Sequence, residues 1–177
     1  MKKWVAKKIE YILNTPWLKV RKDLIELNQK EFEYYVVEEN NGGIIGALND
    51  KDELLFIKDY RHGVGHILLT LPSGYYEDSD VSNTESMRRE LLEETGFFAN
   101  EIMKLNTTFR SPGRYTQELS IFFARNLEYR GQNLDEQEDI KVVPVKLVDA
   151  IKMVGNNEIQ DLATVAAITL IAKHINS

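Results

Sequence analysis

The chain has 177 residues, with 22 Lys and Arg against 28 Asp and Glu for a formal net charge of −6, 43% hydrophobic residues and no cysteine. At about 150 residues per domain this length suits one domain with a small extension, and burial of roughly 70% of the unfolded surface gives such a chain a core without disulfides or structural metal. The composition excludes disulfide scaffolds, thiolate metal sites, cysteine nucleophiles and disorder, and its acidic balance is unlike the basic surface a general nucleic-acid binder needs.

The opening MKKWVAKKIEY is positively charged but lacks the apolar run of about 7 residues that a signal peptide carries. The most apolar stretch, Leu162 to Ala172, falls short of the roughly 20 residues that cross a bilayer and reads as a buried helix. A cytoplasmic protein is the expectation. Glu33 to Glu38, Gly43 to Leu48 and Leu54 to Ile57 are rich in β-branched and aromatic residues and are punctuated by Asn40-Asn41-Gly42-Gly43 and Asn49-Asp50, as strands are. His66 to Leu71 is a further extended run, stopped by Pro72. A central helix follows, then strand-like runs at Leu105 to Phe109, Leu119 to Ala124 and Ile140 to Val145. Leu147 to Val154 and Asp161 to His174 show the 3- and 4-residue apolar spacing of amphipathic helices. Strands and helices that do not strictly alternate predict an α+β fold, an α/β/α sandwich with a mixed sheet and helices on its faces.

The central helix carries the chemistry. Ser82-Asn83-Thr84-Glu85 has the form of a capping box and Gly96 supplies a left-handed stop, so the helix runs from Asn83 to Thr95. At about 100° per residue, Glu90, Glu93, Glu94 and Ser86 share one arc, and Met87, Leu91 and Leu92 point away from it. Like charges three and four residues apart cost a helix about 0.2–0.5 kcal/mol per pair, so the cluster requires either solvent or a cation. A solvated acidic face satisfies the first condition. A hard divalent cation bridging to substrate phosphates satisfies the second, with Arg89 beside the cluster able to orient one carboxylate through a bidentate pair.

The run Gly74 to Phe97, GYYEDSDVSNTESMRRELLEETGF, resembles the Nudix box, G-x5-E-x7-R-E-U-x-E-E-x-G-U with U a bulky apolar residue. Arg89, Glu90, Leu91, Glu93, Glu94, Gly96 and Phe97 each occupy the matching position. The first half is one residue longer than the pattern, so the first Glu of the box is met by Val81 or, with the insertion placed later, by Asp80. Beyond the box, Thr15-Pro16-Trp17-Leu18, Tyr34 to Val37, Tyr60-Arg61-His62, Leu71-Pro72-Ser73-Gly74, Ser111-Pro112-Gly113 with Glu118, the acidic segment Asp135 to Asp139 and the closing Glu158 to Thr164 resemble the ADP-ribose pyrophosphatase-like branch of the Nudix hydrolases.

This resemblance implies hydrolysis of the diphosphate bond of ADP-ribose or a related nucleoside diphosphate sugar to AMP and a sugar phosphate, by water attacking phosphorus with Mg2+, for which Mn2+ can substitute. A GDP-sugar or dinucleoside polyphosphate is an alternative substrate, and a catalytically silent binding domain an alternative role. Glu90, Glu93 and Glu94 are the implied metal ligands together with the Ser73 carbonyl. Glu136 or Glu138 is the implied general base, with Glu136 favoured by position, and Arg89 is grouped with them. Arg61, Gly113 and Glu118 are implied substrate contacts. Trp17, Phe32 and Tyr34 suit either stacking on a base or a core, and His62 and His66, separated by two glycines, are read as structural or exposed. The branch also implies a homodimer, with residues 1–42 as a strand-rich dimerising extension and residues 43–177 as the hydrolase domain.

Overall fold

The computed structural model describes residues 3–134, 136 and 138–177, so Met1 and Lys2, and Asp135 and Gln137 of the acidic segment, lie outside the described residues. The chain divides into two compact units. The first ends at Asn41 and also takes in Phe109–Glu118. It contains three antiparallel strands in sequential order, β1 (Val5–Asn14), β2 (Lys19–Leu27) and β3 (Lys30–Glu38). The sequence pattern brings out only the last of these. β1 mixes lysines with apolar residues and leaves nine of its ten residues exposed, so it carries no clean in–out alternation. Residues 109–118 dock on β3 through paired bonds, Val37 N–H to the Arg114 carbonyl at 2.8 Å and Thr116 N–H to the Val37 carbonyl at 3.1 Å.

The second unit holds two sheets. One is ordered β10 (Lys141–Lys146), β5 (Glu53–Arg61), β6 (His66–Thr70), and is antiparallel throughout. The other runs β7 (Ser73–Tyr75), β4 (Gly42–Ala47), β9 (Glu118–Tyr129), β8 (Phe97–Phe109), with β4 antiparallel to β7 and parallel to β9. The mixed sheet and flanking helices are those the sequence predicts. β8 starts well before the expected Leu105, at Phe97 directly after the helix stop Gly96, and Asn100-Glu101 interrupt the apolar pattern of its first half.

β4 shows why the helices sit where they do. All six of its residues are buried, so both of its faces are covered. Ile45 and Ala47 pack with Met87 and Leu91 of α1 (Asn83–Thr95), whereas Ile44 packs with Ile168 and Ile171 of α3 (Leu162–Ile175). Glycine permits the close approach on each side. A Cβ on Gly43 would fall 2.2 Å from the Met87 sulfur, and one on Gly46 would fall 2.2 Å from Ile171 Cδ1. The remaining helix, α2 (Leu147–Gly155), packs its buried Ala150 into the α3-side core. No helix among the described residues is long and apolar enough to cross a membrane.

Candidate active site

α1 begins and ends as the sequence predicts. The Ser82 hydroxyl accepts from the Glu85 N–H at 3.2 Å, and Gly96 takes φ 79° and returns its N–H to the Leu92 carbonyl. Its packing against β7 builds the site. Glu94, 5% exposed, accepts the Ser73 N–H at 3.0 Å. One position along β7, a Cβ on Gly74 would meet the Glu90 carboxyl group at 2.2 to 2.5 Å. The glycine therefore leaves the space in which that carboxylate lies. Ser86, on the same arc, donates to the Tyr75 carbonyl at 3.4 Å.

Burial sets the electrostatics of this pair. It disfavours the charged carboxylate of Glu90 and, with the neighbouring Glu93 charge, pushes its pKa up to about 7 against the pull of Arg89. Burial likewise pushes Glu94 up to about 8, helped by the Glu90 charge and opposed by the Ser73 N–H and by Arg61. Glu138 raises both groups further, which places this residue of the acidic loop within electrostatic range of the pair.

Arg89 organises the opposite edge of the arc. Its guanidinium stands 2.9 Å from Glu90, 2.8 Å from Glu93, and 3.4 Å from both Glu77 and Asp80. Burial alone would lower its pKa, but these carboxylates hold it above its ordinary value. The side chains also decide between the two candidates for the first acidic position of the box. Val81 is 94% exposed, whereas Asp80 meets Arg89 and accepts the Glu77 N–H at 3.0 Å. Burial opposes ionisation of Asp80, but hydrogen bonds from Ser86, the Glu77 backbone and Arg89 keep its pKa below the usual value.

The three helix carboxylates are thus divided. Glu90 and Glu94 face β7, Glu93 does not, and Arg89 pairs with both Glu90 and Glu93. Among the described residues no three His, Cys, Asp or Glu side chains converge as a ready-made metal cage. The donors still fit a magnesium ion. Mg2+ retains several waters and is ordinarily held by one or two carboxylates plus substrate phosphates, and two desolvated carboxylates pushed toward the neutral form favour a compensating cation.

The other predicted residues separate by unit. Arg61 ends β5, pairs with Asp59 at 3.2 Å and acts electrostatically on Glu94. His62 and His66 are exposed near the β5–β6 turn, with the His62 ring edge-on to Tyr60. Glu136 is exposed. Gly113 and Glu118 belong to the first unit, where the Tyr34 hydroxyl donates to the Gly113 carbonyl and the Glu118 N–H donates to Asn41 at 2.9 Å. In that unit Tyr34 is half-buried beneath the Arg114 guanidinium, 4.6 Å from its ring centre, and Trp17 is 84% exposed. Sequence reasoning missed the roles of Glu77 and Asp80 at Arg89. The signal available for them was the excess of acid ahead of an RRE run, which has no fixed spacing.

A carboxylate helix laid against a short strand, in a mixed sheet covered by helices on both faces, defines the class. The NUDIX domain model matches residues 27–162, and the chain belongs to that family. It is a Nudix hydrolase, similar to the nucleotide-sugar pyrophosphatases. ADP-ribose pyrophosphatase of Bacillus subtilis (strain 168) is 29% identical over 143 residues, covering 80% of this chain and 77% of the relative. GDP-mannose pyrophosphatase of Yersinia enterocolitica serotype O:8 / biotype 1B is 30% identical over 169 residues, covering 87% of each. A crystal structure described as ADP compounds hydrolase shares the fold, with a TM-score of 0.88 over 99% of this chain and 96% of that one at 21% identity.

Proposed function

We propose that this protein hydrolyses the diphosphate bond of ADP-ribose or a closely related nucleoside diphosphate sugar, giving AMP and a sugar phosphate. The observation that carries the proposal is the buried Glu90 and Glu94 pair against β7, two hard oxygen donors whose charged forms call for a cation. Glu90, Glu94 and the Ser73 carbonyl would hold Mg2+, with Glu93 completing the set that the Nudix resemblance implies, and the ion would supply charge neutralisation and polarisation of a phosphoryl oxygen.

The chain's own residues account for the rest. Arg89 keeps Glu90 and Glu93 oriented through its two contacts at 2.9 and 2.8 Å. Glu136 or Glu138 takes the proton from the attacking water, and the charge of Glu138 reaches Glu90 and Glu94, which supports Glu138 in that role. Arg61 offers a planar fork to the diphosphate. Gly113 and Glu118 serve the sugar or base.

The reading is tested by incubating the purified protein with Mg2+ and a panel of ADP-ribose, other ADP-sugars, GDP-mannose and diadenosine polyphosphates, ranked by kcat/KM. ADP-ribose leading the panel with release of AMP supports it. No turnover on any ADP-sugar overturns it. GDP-mannose is the second reading, favoured by the similarity to GDP-mannose pyrophosphatase. We also propose a homodimer formed through the first unit, where Val5, Ile9, Tyr11, Ile12 and Trp17 are at least half exposed. Light scattering that returns a monomer at micromolar concentration overturns that.

A further inference from the structure

At the edge of the mixed sheet farthest from β7, the neighbouring strands β8 and β9 both step out of alternation. Ala99 and Ile102 of β8 pack into the α1-side core although they stand three apart, and Ala124 and Leu127 of β9 do the same. A regular strand turns residues two apart to one face, so each strand carries an extra residue here. In β9 it falls at Asn126, whose φ of 54° is a left-handed value that Asn tolerates better than most side chains. The Asn100 Nδ2 donates to the Asn126 carbonyl at 3.0 Å, which sets the two irregularities side by side. Such bulges bend a strand and re-aim the side chains next to them.

A cavity of about 400 Å³ opens beside this double irregularity, within the range of about 300–1,000 Å³ usual for small-molecule sites. Its lining comes from four elements: Arg88 of α1, Asn100 to Met103 of β8, Phe123 and Arg125 of β9, and His174 of α3. Two arginines and an imidazole thus stand with a single carboxylate, Glu101, in a chain whose net charge is −6. The buried Phe123 ring holds two of these groups, with the Arg125 guanidinium 4.9 Å from its centre and the His174 ring edge-on at 5.7 Å. Among the described residues neither Arg125 nor His174 pairs with a carboxylate. Arg88 lies 5.0 Å from the Phe98 ring centre and gives its Nε–H to Glu85 at 3.1 Å, which leaves its terminal nitrogens to the cavity. The acidic arc is elsewhere: Arg88 stands about 160° around α1 from Glu90, and β8 and β7 are opposite edges of the sheet.

We propose that this cavity is a second ligand site, which binds a small organic phosphate monoester. The phosphate lies on Arg125 and His174, with Arg88 adding charge, and the organic body lies against Ile102 and Met103. Planar guanidinium forks match phosphate oxygens. Met103, 45% exposed, and the half-buried Ile102 offer apolar surface, and Glu101 accepts from sugar hydroxyls. The site binds without a metal and does not depend on which substrate the acidic arc takes.

The test is isothermal titration calorimetry in EDTA at about 50 mM salt, where screening of exposed cations is weak and the metal-free acidic arc repels phosphate. The probes are AMP, ribose 5-phosphate, adenosine and inorganic phosphate, on the parent, Arg125→Gln, His174→Gln and the double variant Arg125→Gln/His174→Gln. At least one monoester is expected to bind with a Kd at or below about 1 mM, at least about tenfold tighter than adenosine or inorganic phosphate. Arg125→Gln is expected to weaken that binding about tenfold, and the double variant to abolish it. Both side chains are exposed, so melting temperatures are expected within about 2 °C of the parent. Amide NMR on the parent gives a readout independent of any variant, with ligand-induced shifts expected at Asn100, Met103 and His174 rather than at Ser73 and Gly74. Preference for AMP identifies a nucleoside as the organic body and preference for ribose 5-phosphate a sugar, and either supports the site. Binding that survives the double variant, shifts confined to Ser73 and Gly74, inorganic phosphate equal to the monoesters, or no binding of any probe at about 10 mM overturns the inference. None of these results bears on turnover, so the hydrolase reading stands or falls separately.

Discussion

β4 and β1 are extremes within one chain. Every residue of β4 is buried between two helices, whereas β1 exposes nine of ten and presents Val5, Ile9, Tyr11 and Ile12 to the surface. The second unit spends its apolar residues on a core that holds charged groups out of water. The first buries Ile25 and Val36 but leaves much of its apolar surface exposed. Substitutions of the same kind should therefore have very different consequences in the two units.

The largest effect is expected at the helix the core supports. Glu94→Gln should lower kcat by at least about 10²-fold in a steady-state assay with Mg2+, and circular dichroism should show the fold retained. Next, Phe56→Ala, a change at a fully buried ring, should cost about 3–5 kcal/mol in denaturant unfolding. A cost under about 1 kcal/mol would break the contrast between the units.

A smaller effect concerns pH. Glu90 and Glu94 lie at about 7 and about 8 in the folded protein against an ordinary 4.5, so the native state holds protons that the unfolded chain releases. Their contribution to stability is fully present below about pH 4.5 and is lost as pH rises toward 8. Metal-free protein should therefore melt progressively lower across that window, and saturating Mg2+ should flatten the trend. A melting temperature that climbs from pH 5 to 8 in EDTA would contradict the burial argument. Smallest in stability is Ile9→Ala in β1, expected within about 0.5 kcal/mol. Ile9→Lys sharpens the comparison, because it should leave the folded chain intact while shifting the proposed dimer toward monomer in light scattering.

What the sequence discloses follows the same division. Ser82 and Gly96 mark both ends of α1 because capping is a local interaction, and β4 and β5 announce themselves through short apolar runs between turn residues. β1 does not, since a strand without a buried face has no reason to alternate, and β2 does not because charged residues, among them the buried Asp23, interrupt its apolar positions. The acidic arc of α1 is legible from helical spacing. That Glu90 and Glu94 face β7, with Glu90 also paired to Arg89, is not, because it depends on Ser73 and Gly74, which are distant in sequence. The choice between Asp80 and Val81 shows the limit of pattern matching. An insertion can be placed on either side of the motif position, and only the side chain that meets Arg89 resolves it.

The parallel pairing of β4 with β9 carries a further consequence, for how the molecule assembles. Ile44 faces Ile121 across that ladder, so the central sheet cannot close until most of the chain is available. By contrast, β1, β2 and β3 pair with immediate neighbours, as do β5 and β6. Local hairpins close quickly and distant ladders slowly, because loop entropy is lost before distant contacts form. The β1–β3 sheet and the β5–β6 hairpin should gain hydrogen-exchange protection first during refolding, and Ile44 and Ile121 last. The surface that would meet a second subunit is then present before either chain can turn over substrate.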